Sequence, residues 1–128
     1  MVEDVAMVPF RWSDIDAYYY LPSLSSIRQR DGDDAGELSP GVFRERLLKR
    51  VEEVSERGGY AAFLFHPFLT ETEERQGVMR DVLEEVKRRR DEGKLWVASC
   101  EEVAGWVREH EEAFGGDPEW DRAEWKKK

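Results

Sequence analysis

Apolar residues along the chain follow two different rhythms. From Phe43 through Leu47 and Val51 to Val54 they recur at steps of four, four and three, which predicts an amphipathic helix. Ser39 is placed to cap it, Pro40 to occupy its first turn, and Gly58-Gly59 to end it. Val78, Met79, Val82, Leu83 and Val86 write a second helix that ends near Gly93. Ser99 and Glu102 form an S-x-x-E capping box, opening a third helix that carries Val103, Trp106, Val107 and Phe114 inward.

Three short apolar runs precede these helices and lack their period. "DVAMVPFRW" reads as a strand through Val5, Met7, Val8 and Phe10, with Pro9 restricting it to an edge, a bulge or the strand's end. "YAAFLF" is continuous in apolar residues, as expected of a parallel strand covered on both faces, and "LWVAS" supplies the third. The segment "SDIDAYYYLPSL" and the Asp/Gly-rich "RQRDGDDAGELSP" read as connections, the latter a long surface loop. The resulting order predicts an α/β fold: three consecutive βα units with parallel strands, joined by right-handed crossovers and forming part of a larger sheet or barrel. Residues 1–114 are expected to form this domain and 115–128 a charged C-terminal tail.

Charge narrows the function classes. Twenty Lys and Arg against 29 Asp and Glu leave a net charge of -9, which disfavours nucleic acid and anionic membrane as partners. The amino terminus lacks the basic and apolar regions of a signal peptide, and no run reaches the ~18 apolar residues of a membrane span. A single cysteine, Cys100, provides no intrachain disulfide framework and no thiolate cluster. Together these features predict a soluble chain in the cytoplasm.

Side chains just beyond the carboxyl ends of parallel strands converge on the functional face of α/β folds. Here those positions hold Trp12, Asp14 and Asp16 after the first run, and His66 after the second. A carboxylate beside His66 would select its tautomer and equip it for general acid or base work. Tyr18, Tyr19 and Tyr20 could line a sugar-binding cleft, although aromatic clusters are more commonly core. With only His66 and His110, no His-rich metal site can be assembled, and the G-x-S-x-G elbow of a serine hydrolase is absent.

"MVPFRWSDIDAYYY", "GGYAAFLFHPFL" and "GVMRDVLEEVKRRRDEGKLWVASCEEVAGWV" resemble the carboxyl-terminal part of polysaccharide deacetylases, in the branch with allantoinase-like and cytoplasmic peptidoglycan-deacetylase-like proteins. The resemblance implies a distorted (β/α) barrel and a divalent metal, usually zinc, held by an Asp-His-His set in the complete domain. It implies hydrolysis of a non-peptide C–N bond in an amino sugar or related small amide. It gives His66 the role of general acid, Asp16 and less directly Asp14 that of orienting it, and Trp12 that of a groove wall. The family's catalytic acidic pair and His-x-x-x-His segment have no counterpart, so the chain is expected to hold no metal itself and to be inactive alone. A complementing amino-terminal half is then the expected partner. The rival reading is a non-catalytic α/β module that self-associates through exposed sheet edges or completes a barrel with a partner chain.

Overall fold

Local signals account for the three long helices. In the computed structural model, which describes Ala6 and residues 8–110, Ser39 accepts a hydrogen bond from the Val42 amide at the start of α3, Pro40–Arg57. Gly58 ends that helix at φ 78°, a left-handed conformation that glycine reaches without a Cβ penalty. Thr72 caps α4, Glu73–Asp91, by accepting from the Arg75 amide. Both halves of the predicted capping box form on α5, Cys100–Glu109. Two short helices precede these, α1 at Asp16–Tyr20 and α2 at Ser25–Arg30, where sequence periodicity predicted only connections.

The expected α/β architecture is not found. Among the described residues there is no β-strand, only one isolated parallel bridge between Ile15 and Leu64. This overturns both the parallel βα units and the barrel. Val8–Phe10 is irregular, with Phe10 55% exposed, while Val5 and Met7 lie outside the described residues. "YAAFLF" is covered on one side only: Phe63 and Phe65 pack against the core, whereas Leu64 is exposed. "LWVAS" forms no bridge among the described residues and exposes Trp96 and Val97. A parallel strand needs ladder partners as well as apolar character, and among the described residues the one bridge joins Leu64 to Ile15, which lies in none of these runs.

The chain divides into two units, Pro9–Val97 and Met1–Val8 with Ala98–Lys128. In the first, α3 packs along α4, burying Phe43, Leu47, Val78 and Val82 together with Ile15 and the three tyrosines of α1. Tyr19 and Tyr20 bracket Phe43, with ring centroids 4.4 and 5.7 Å from it. Aromatic residues are weak helix formers, so tertiary packing rather than propensity sustains the five-residue α1. In the second unit the described part is chiefly α5, where His110 closes the helix by stacking on Trp106 at 4.3 Å. The tail boundary predicted at residue 114 and the inward role of Phe114 lie outside the described residues.

The Asp/Gly-rich loop after α2 is anchored by Arg28, whose side chain is fully buried. Its guanidinium donates to the carbonyls of Tyr18 and Leu21, both at 2.8 Å, and through two nitrogens to that of Ala35. Asp33 adds a second anchor, accepting from the Tyr18 hydroxyl at 2.6 Å and from both terminal nitrogens of Arg46. The loop is thereby fastened to α1 and α3.

Candidate functional site

The Ile15–Leu64 bridge makes the site. The Asp16 amide donates to the Leu64 carbonyl at 3.1 Å and the Leu64 amide to the Asp14 carbonyl at 3.3 Å. This register lays the first turn of α1 against residues fifty positions later, and sets the Asp16 carboxylate opposite His66. Asp16 Oδ2 accepts from the His66 backbone amide at 2.5 Å, and Oδ1 accepts from Nδ1 at 2.6 Å.

A carboxylate can only accept, so His66 carries a proton on Nδ1 and turns Nε2 to proton exchange. Asp16 is fully buried whereas the His66 side chain is 33% exposed: the orienting group is sealed and the working group remains open to solvent. The turn that follows holds the histidine from behind. The amides of Leu69 and Thr70 and the Thr70 hydroxyl all donate to the His66 carbonyl, at 2.9 to 3.0 Å.

The other expected site residues separate. Asp14 is also buried, but its ionic partner is Arg50, with Oδ2 3.5 Å from Nε and neither atom hydrogen-bonded. Burial pushes the Asp14 carboxyl above its ordinary range, against the pull of Arg50 and Arg11. Trp12 keeps an open face at 39% exposure and meets Phe10 edge-on at 5.7 Å. Tyr18 and Tyr19 do not line a cleft: at 1% and 0% exposure their rings are in the core. The Tyr18 hydroxyl is spent on Asp33, and that of Tyr19 donates to the Ser13 carbonyl at 2.7 Å. Burial and the Asp33 carboxylate push the Tyr18 phenol far above its usual range.

Sequence reasoning passed over Phe68, which is 58% exposed and lies 5.3 Å from the His66 ring, centroid to centroid. The signal was available in "HPFL": Pro67 opens a 3₁₀ turn, Pro67–Leu69, which brings Phe68 back beside the histidine. An apolar neighbour of this kind excludes water from one side of the imidazole.

Structural and hydrolytic zinc sites take about three or four protein donors. Among the described residues no three His, Cys, Asp or Glu side chains gather as a metal site requires. No described helix is long and apolar enough to cross a membrane. Comparison with protein-family models, with curated proteins and with solved structures gives no match.

Proposed function

We propose that the chain contributes the proton-transfer pair of a hydrolase acting on a non-peptide C–N bond, in an N-acetylated amino sugar or a related small amide. The Asp16–His66 dyad carries this reading: a buried carboxylate bonds both the ring and the backbone of a partly exposed histidine. In the reaction His66 Nε2 delivers a proton to the leaving nitrogen as the C–N bond breaks, and Asp16 stabilises the imidazolium before transfer. Trp12 and Phe68 offer the exposed aromatic faces on which a sugar ring or acyl group could rest. The attacking water must be activated by groups these residues do not supply, so the chain works with a complementing chain that bears them. The exposed, unpaired Cys100 suits a reducing compartment, and we place the chain in the cytoplasm.

The test is deacetylation of an N-acetylchitooligosaccharide with zinc present, by the purified chain and by the chain mixed with a complementing chain that carries an Asp-His-His set. The expected result is no turnover by the chain alone and, in the mixture, turnover that His66→Gln lowers by roughly 10²–10⁴-fold. Zinc-dependent turnover by the chain alone, or complemented turnover indifferent to His66→Gln, overturns the proposal.

One observation favours a second reading, self-association without catalysis. Phe10, Leu64 and Phe68 are each about half exposed, and apolar residues beside a barely paired extended segment invite another chain. Light scattering separates the two: a defined oligomer dispersed by Leu64→Lys favours the module, and a monomer at micromolar concentration excludes it.

A further inference from the structure

On a strongly acidic chain, a local concentration of cations stands out. A cleft of about 200 Å³ between the Trp12–Asp14 turn and α3 is walled by Arg11, Arg46, Lys49 and Arg50 against two carboxylates, Asp14 and Glu53. Arg46 is committed to Asp33, and Arg50 donates to the Tyr60 carbonyl at 2.9 Å while facing Asp14 and Glu53. Among the described residues Arg11 and Lys49 enter no salt bridge. Of the four cations that line this cleft, they are the two outside any salt bridge among the described residues.

A second cleft of about 190 Å³ adjoins the first. The two share Arg11, Asp14 and Arg50, but beyond these the second is walled by Pro9, Phe10, Tyr60, Ala61 and Ala62. A basic lobe and an apolar lobe therefore meet across one wall. In that wall Asp14 Oδ2 and Arg50 Nε lie 3.5 Å apart, both buried and both without a hydrogen bond. Unmade polar contacts of this kind are uncommon in folded proteins, and they mark a wall whose polar groups the fold itself does not satisfy.

We propose that the paired clefts bind a small organic phosphate monoester, its phosphate between Arg11 and Lys49 and its apolar body against Phe10, Ala61 and Ala62. A dianionic phosphate matches two uncommitted cations, and a single phosphate meets only the local field, whereas a polyanion would meet the chain's overall negative charge. A bare phosphate leaves the apolar lobe empty, which is why the ester is the better fit. Asp14 does not oppose the anion as a surface aspartate would. Arg50 faces it at 3.5 Å and offsets its charge toward the anion. The assignment is independent of the His66–Asp16 dyad, because none of the dyad's atoms lines either cleft.

The test is an amide-resolved NMR titration of the full chain with phenyl phosphate and, separately, inorganic phosphate, at ionic strength held constant with sodium chloride. Phenyl phosphate should give saturable shifts at Arg11, Ser13, Lys49, Ala61 and Ala62, with a dissociation constant about tenfold or more below that of inorganic phosphate. Arg11→Ala with Lys49→Ala should weaken phenyl phosphate binding by about tenfold or more. These side chains are exposed, so the double variant is expected to fold; Lys87→Ala on α4 serves as the unaffected control. Absence of saturable shifts, equal affinity for the two probes, or unchanged affinity in the double variant each overturns the proposal.

Discussion

Asp14 and Asp16 stand two residues apart, are both buried, and have the same side chain, yet they do opposite things. Asp16 begins α1 and finds in His66 a ring donor and a backbone donor, one for each oxygen. Asp14 ends a 3₁₀ turn and faces a guanidinium that stops short of a hydrogen bond. The difference arises from the bridge between them. Pairing at Ile15 and Leu64 hands the backbone of Asp14 to Leu64 and the side chain of Asp16 to His66, while the Asp14 side chain is left to α3. Burial alone therefore says little about a carboxylate's role; what decides it is whether the donors around it were brought there by the same backbone register.

The largest expected effect tests that contrast directly. Asp16→Ala strips two donors of their buried acceptor and should cost about 3 kcal/mol, whereas Asp14→Ala, which removes a poorly satisfied group, should cost about 1 kcal/mol or less. Urea unfolding of the full chain measures both, and equal costs would break the comparison. Next in size is His66→Ala, expected at about 1.5 kcal/mol because the backbone bond to Asp16 survives the loss of the ring. A cost as large as that of Asp16→Ala would place the whole contribution on the imidazole.

The smallest effects are read through pH, and the signs differ between carboxylates. Arg46 and the Tyr18 hydroxyl hold Asp33 down to about 2, so its contribution is present above the ordinary aspartate range and is lost as pH falls through about 2. Asp33 is near the surface, and screening limits this to roughly 1 kcal/mol. Asp14 is shifted the other way: the folded state takes up its proton before the unfolded chain does, so its contribution to stability rises as pH falls through that raised value. Unfolding curves from neutral to acid pH should therefore become less acid-sensitive in Asp33→Asn and more so in Asp14→Asn. Like signs in the two variants would show that the surroundings of Asp14 are not what separates it from its neighbours.

Much of the helical structure was legible. Ser39 with Pro40, Gly58, and Ser99 with Glu102 act within a few residues of themselves, so their hydrogen bonds form wherever the chain goes afterwards. His66 and Asp16 were legible as a possible pair on residue type, and the structure brings them together. The strands were misread because a continuous apolar run records only a tendency to be buried, and in "YAAFLF" the alternate residues Phe63 and Phe65 are packed while Leu64 is not. Tyr18 and Tyr19 were misassigned for a related reason: an aromatic cluster suits a groove and a core equally well, and Phe43 from α3 makes it a core.

Sequence by itself determined where α3 starts and stops and where α5 starts, the net negative charge, and the presence of one histidine in apolar surroundings with aspartates upstream. Tertiary structure alone decided which aspartate serves that histidine and that Arg28 belongs in the interior. It also decided that Arg11 meets Lys49 across a cleft. Helix caps are contacts between near neighbours, whose cost in chain entropy is small and local. The dyad, the Arg28 anchor and the cleft join segments that only packing brings together, and they exist because the helices that bury Phe43, Leu47 and Val82 have already met that larger cost.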